Sequence, residues 1–146
     1  MIPLIKSPKD YQVYRISPDA TNRLAIVFDR ASADVSPIVC VEIFDVGGKQ
    51  PPNRHQSAVE MFFILKGEGL AHCDGKAVPI QAGDSFLVPP TDIHFIENTG
   101  LGRLYALSIM VPNDHFAELI RSGIKVELDE EDLAVLRRTA TPSLTN

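Results

Sequence analysis

Four side chains in two short stretches hold most of the chemistry that this sequence can do. Asn53 and His55 stand two apart, Glu60 follows five residues later, and His94 lies where the chain re-enters a strand-like run after Pro89-Pro90. In extended backbone alternate side chains share a face, so Asn53 and His55 point the same way and Phe62 and Ile64 share the face of Glu60. Folding one β-layer on itself brings His94 opposite this group. Two imidazoles and one carboxylate in an apolar cavity suit a divalent transition metal with open coordination positions. Taken singly, the same residues have ordinary roles. A lone buried histidine is usually just hydrogen-bonded, Glu60 reads as a surface charge at a strand start, and Asn53 beside Pro51-Pro52 reads as a turn residue. Residue chemistry alone leaves both readings open.

The elements that must position these residues are mostly β. Short apolar, β-branched runs cover 24–28, 38–44, 61–65, 77–80, 86–88, 94–96 and 104–111, broken by Asp45-Val-Gly-Gly48, Asp74-Gly75, Ala82-Gly-Asp84, Pro89-Pro90 and Asn98-Thr-Gly100. Asp74-Gly75 is the clearest hairpin turn, because a two-residue type I′ turn needs positive φ at both positions. Seven short strands without a long helix between them predict an all-β fold, an antiparallel sandwich or barrel over 24–112. Residues 1–23, with Pro3, Pro8 and Pro18, suit an arm or edge strand. Two helices are expected over 113–140, docked on the barrel. Asn113 caps the first and Gly123 stops it. The second starts near Asp129, acidic in its first turn and basic in its last, with Leu133, Leu136 and Val135 as its stripe. Residues 141–146 should fray.

Composition narrows the function classes. The 146 residues carry 19 acidic and 14 basic side chains, a formal charge of −5, and the basic residues are scattered. No general attraction to nucleic acid or to an anionic membrane follows from that balance. No stretch approaches the roughly 20 apolar residues of a membrane span, and nothing at the N-terminus reads as a signal peptide. Cys40 and Cys73 match no zinc spacing and read as free thiols. A cytoplasmic protein is the expectation.

The two polar stretches resemble the two signature motifs of the cupin superfamily, in its small single-domain, RmlC-like form. The first is written G-(x)5-H-x-H-(x)3-4-E-(x)6-G, and Gly47, Asn53, His55, Glu60 and Gly67 fall on it; the second, G-(x)5-P-x-G-(x)2-H-(x)3-N, takes Gly83, Pro89, Thr91, His94 and Asn98. Two positions depart: Asn53 stands for the first histidine and Thr91 for a turn glycine. The resemblance implies a jelly-roll or double-stranded β-helix barrel with a short C-terminal helical extension. It also implies a metal held by His55, Glu60 and His94, with Asn53 as an optional fourth, neutral and weaker ligand, distant or bridged by water. Phe62, Ile64 and Phe95 are expected to line the pocket.

A divalent ion (iron, manganese, zinc or nickel) on those three groups gives a local charge of about +1 and favours a small anionic ligand. Iron would support dioxygenase chemistry, and the other ions isomerase, lyase or hydrolase chemistry. The competing expectation is a non-catalytic cupin module that binds a small ligand with weak or no metal. A third is a metal-free epimerase-like or sugar-binding relative with a histidine base. No second carboxylate stands close enough in sequence to nominate as an acid or base. Small cupins commonly pair, so a homodimer is expected, with no nucleic acid or membrane partner. Met61, Phe63 and Leu65 should pack between sheets or at a subunit contact. His72 belongs on the outside or at a rim, and Tyr105 is either a pocket hydroxyl or a core aromatic.

Overall fold

The computed structural model describes residues 2–139. Its strands are β1 (Gln12–Arg15), β2 (Asn22–Phe28), β3 (Ile38–Phe44), β4 (Val59–Lys66), β5 (Glu68–Cys73), β6 (Lys76–Gln81), β7 (Ser85–Val88), β8 (His94–Asn98), β9 (Leu104–Val111) and β10 (Ile124–Val126). Helices are short: α1 (Arg30–Ala33), α2 (Phe116–Arg121) and α3 (Glu130–Arg137). A seven-stranded sheet runs β10-β1-β2-β3-β9-β4-β7, and a three-stranded sheet runs β6-β5-β8. Every pairing is antiparallel. This is the all-β jelly roll with short helices.

Alternation along each strand decides what faces the interior. Ile38, Cys40, Glu42 and Phe44 of β3, Glu60, Phe62 and Ile64 of β4, His94, Ile96 and Asn98 of β8, and Leu104, Ala106, Ser108 and Met110 of β9 are all buried. Phe44, Phe62, Ile64, Ile80, Val88, Ile96, Leu104 and Ala106 form one apolar cluster between the sheets. Leu24, Ile26, Ile38, Cys40, Ala58 and Met110 form a second, joined by Ala117 and Ile120 of α2, which closes that end. Each buried Val, Leu, Ile, Phe or Met side chain among them contributes roughly 1.5–3 kcal/mol relative to exposure.

A third cluster lies on the outer face of the large sheet, where Ala25, Val41, Ile43 and Tyr105 pack against Leu128, Val135 and Leu136. Asp132 of α3 is fully buried there. It accepts two hydrogen bonds from the Arg23 guanidinium at 2.5 and 2.9 Å, one from Tyr105 Oη at 2.8 Å and one from Arg103 at 3.1 Å. The acidic first turn of α3 therefore supplies an anchor as well as a favourable dipole interaction. Tyr105 is a core aromatic whose hydroxyl faces this helix, away from the barrel interior.

Asp74 and Gly75 have φ of 47° and 79°, the paired positive values of the expected hairpin turn. Two strands were not legible. β5 begins Glu-Gly-Leu and pairs with both β6 and β8; a Cβ on Gly69 would stand 2.2 Å from the Glu97 carbonyl oxygen, so close strand approach demands glycine there. β10 has only three residues, too few to show a period, and it covers β1, which is consequently not an edge. Helix α2 starts later than expected, with His115 at φ 64° before it, but Asn113 still serves as a cap, its Oδ1 accepting the Ala117 N–H at 2.8 Å. The frayed tail expected at 141–146 lies outside the described residues.

Candidate metal centre

Glu60 sits near the start of β4 on the large sheet and His94 opens β8 on the small one, each on its inward face. The segment before β4 joins them. Lys49 pairs with Glu97 and Asn53 with His94, so this segment runs as an irregular strand beside β8. Asn53 N–H donates to the His94 carbonyl at 3.0 Å and His94 N–H to the Asn53 carbonyl at 2.9 Å. That exchange carries His55, two residues further on, to the mouth of the same space. The first sequence stretch is therefore hydrogen-bonded to the second.

The candidate ligand atoms of His55, Glu60 and His94 all lie within 4.8 Å of one another. His55 Nε2 is 3.4 Å from Glu60 Oε2, and His94 Nε2 is 3.5 Å from Glu60 Oε1; the side chains are 11, 2 and 3 % exposed for His55, Glu60 and His94. Two donors each about 2.1 Å from one ion stand roughly 3.0–3.4 Å apart, so these spacings lie at or just beyond the upper end of what a shared ion needs. Nε2 of both histidines and Oε2 of Glu60 are buried without a hydrogen-bond partner. Buried polar atoms are rarely left so. His94 Nδ1 lies 3.1 Å from the Asp92 carbonyl, which fixes the proton on Nδ1 and leaves the Nε2 lone pair facing Glu60. The residues present fit a divalent ion.

Electrostatics agree with that reading. Burial alone would raise the Glu60 carboxyl, but the His55 and His94 imidazoles beside it more than offset this and hold it below the ordinary carboxylate range. Burial would likewise lower His94, and Glu60 with the Asp92 carbonyl reverses the sign, leaving its pKa raised. Phe116 of α2 meets the His55 ring edge-on at 5.7 Å, and the two imidazoles are 5.3 Å apart.

The other expected site residues separate. Asn53 turns its Nδ2 to the carbonyls of Pro51 and His94 at 3.2 and 3.4 Å, so its amide nitrogen is engaged with backbone. Phe62 and Ile64 face inward but belong to the packed cluster between the sheets. Phe95 does not line the pocket. It follows His94 directly, alternation sends it to the opposite face, and there it stacks on His72 at 4.1 Å beside the His72–Glu97 pair. A cavity of about 420 Å³ adjoins the cluster instead, lined by Ala71, Cys73, Ile80, Phe86, Val88 and Asp92 among others. Val88 pairs with Glu60 and Cys73 with His94, so part of the lining lies on strands next to the centre, although His55, Glu60 and His94 do not themselves line this cavity. Burial and the neighbouring Asp92 raise the Cys73 pKa, so it stays a thiol. Glu42, Gln50 and Phe116 are parts of this region that the sequence reading did not single out. For Glu42 the available signal was a charge at an inward-facing position between Cys40 and Phe44.

Comparison with known proteins places these observations. The family described as cupin domain matches residues 40–110. The oxalate-binding protein of Thermotoga maritima is 41% identical over 59 residues, 40% of this chain and 49% of that protein. The chain thus spans about half the length of the curated relatives it matches. Among solved structures, a predicted oxalate decarboxylase from Thermotoga maritima superposes with a TM-score of 0.67 at 25% identity, covering 75% of this chain and 99% of that one. An RmlC-like cupin from Shewanella frigidimarina gives 0.63 at 17% identity over 76% and 92% of the two chains, a likeness of fold alone.

Proposed function

From the premise that this chain belongs to the cupin superfamily, we propose that it binds a divalent transition metal through His55, Glu60 and His94 and, on that metal, a small dicarboxylate of the oxalate type. The observation that carries the reading is the set of three buried donor atoms, one from each sheet and one from the segment before β4, each without a partner. Two neutral imidazoles and one carboxylate leave a divalent ion with a net charge of about +1, which attracts an anionic oxygen ligand. When bound, such an ion supplies Lewis acidity and coordination positions that the three side chains leave free. The protein's own contribution is orientation and exclusion of water. Asp92 sets the His94 tautomer, Phe116 shields the edge of His55, and the apolar cavity beside Val88 and Cys73 offers space for a small ligand. The likeness to an oxalate-binding protein and to a predicted oxalate decarboxylase supports a short, doubly anionic ligand.

The test is elemental analysis of protein purified without a metal-affinity tag, followed by calorimetric titration with oxalate. Wild type should hold near-stoichiometric metal, and His55→Ala and Glu60→Ala should lose it together with oxalate binding. Metal retained equally by both variants, or absent from wild type even after anaerobic addition of iron(II) or manganese(II), would overturn the reading.

A further inference from the structure

Inside the barrel, Glu42 is a second carboxyl that the three-ligand centre does not use. It is 0% exposed and sits on the inward face of β3. Its Oε2 accepts a hydrogen bond from Gln50 Nε2 at 2.5 Å. Gln50 cannot turn its amide around, because its Oε1 accepts the Ile96 N–H at 2.8 Å, two residues from His94. With Oε2 receiving an N–H, the proton of a neutral Glu42 belongs on Oε1. That Oε1 has no hydrogen-bond partner. The other buried side-chain atoms left this way, among the described residues, are His55 Nε2, Glu60 Oε2 and His94 Nε2. The same interior thus holds three unpartnered metal-binding atoms and one unpartnered carboxyl oxygen.

We propose that Glu42 is a ligand-recognising acid of this centre, keeping a proton on Oε1 and donating it as a hydrogen bond to an anionic oxygen of the bound ligand. This inference rests on the metal-and-carboxylate reading above and deepens it.

The surroundings keep Glu42 neutral. Loss of hydration on burial is the largest cause, the Glu60 carboxylate the second, and together they push its carboxyl up to about 8. The Gln50 hydrogen bond and the nearby Asn22 amide pull the other way and are outweighed. The Cys40 thiol on the same strand is itself raised by burial and adds no charge. Among the described residues, the other titratable groups facing the interior are the His55 and His94 imidazoles beyond Glu60 and the Cys73 thiol, itself raised by burial. An ion on Glu60 would cancel the second cause and leave the first. A neutral acid facing a carboxylate ligand makes a charge-assisted hydrogen bond. Once ionised, the same side chain would repel the ligand, so affinity should fall as pH rises.

The experiment uses full-length protein loaded with manganese(II), with oxalate as the probe, in calorimetric titrations at pH 6.5 and 9. Manganese content should be the same in wild type, Glu42→Gln and Glu42→Leu. Wild-type affinity should fall about tenfold or more between the two pH values, while Glu42→Gln, whose amide keeps an N–H donor, stays nearly flat and matches wild type at pH 6.5. Glu42→Leu, with no donor, should bind about tenfold more weakly at pH 6.5. Infrared difference spectra of the metal-free protein at pH 7 should contain a neutral carboxylic-acid carbonyl band that Glu42→Gln lacks. If Glu42→Leu fails to fold, the Glu42→Gln pH profile and this band decide. Parallel pH profiles for wild type and Glu42→Gln, undiminished binding by a folded Glu42→Leu, or no carboxylic-acid band would each overturn the role of Glu42 alone. Failure of wild type to take up manganese would bring down the metal centre, and Glu42's role with it.

Discussion

Glu60 between two imidazoles holds its negative charge despite burial, and in doing so it also raises the affinity of His94 for a proton. A metal ligand must be the neutral imidazole, so protons compete with the ion. Because Glu60 and the Asp92 carbonyl raise the His94 pKa, this competition begins above the ordinary imidazole value of about 6.5. Cobalt(II) titrations followed by visible absorption should show affinity falling by about tenfold or more from pH 8 to pH 6. A constant affinity over that range would mean that His94 does not give up a proton on binding. The triad was legible because its three residues fall on the two cupin-like motifs; their types and spacing alone left ordinary roles open. Glu42 was not, because it lies in Ile38–Phe44, a run whose apolar neighbours read simply as a buried strand. Only the closed barrel brings it within electrostatic reach of Glu60.

Among the elements, α3 shows how a short helix is held. Its eight residues would be marginal alone, and the sequence pointed to an apolar stripe and complementary end charges. The structure adds a buried carboxylate, Asp132, which receives Arg23, Arg103 and Tyr105 while closing a capping box with Asp129. Asp132→Asn would leave the Arg23 guanidinium buried opposite a neutral amide and should destabilise the protein by about 3–5 kcal/mol, read as a lower urea midpoint. The double replacement Arg23→Met with Asp132→Leu should recover much of that loss. A cost for Asp132→Asn below about 1 kcal/mol would show that the network is dispensable. Elements rich in β-branched residues were readable one by one. β5 was hidden because Gly69, required by backbone approach to β8, and Gly67 just before the strand look like turn residues. β10 was hidden because a three-residue strand is defined by its partner and not by its own pattern.

For the whole molecule, the outer face of the large sheet is treated unequally. Its β1-β2-β3-β9 part is covered by α3, whereas Met61, Phe63, Leu65 and Leu87 on β4 and β7 are 39, 43, 39 and 57 % exposed. These side chains do not pack between the sheets, because alternation from inward Glu60 sends them outward. An apolar strip of this kind suits an interface, and we propose the expected second copy of this chain as its occupant. Light scattering over a concentration series should give a mass near twice 16.0 kDa, and Phe63→Lys should shift it to the monomer. A persistent monomer in wild type would remove the dimer.

Glu60 belongs to the large sheet, His94 to the small one and His55 to the segment that pairs with β8 before entering β4, and both cysteines are free thiols. Among the described residues the two layers are linked by chain connections, such as Gly67 between β4 and β5, and by no disulfide. An ion seated among these three side chains would therefore rivet one layer to the other, as a cystine would in an oxidising setting. Loading the centre should then stiffen the whole barrel as well as equip it for chemistry, and stripping it should loosen the seam between the layers before any single strand frays.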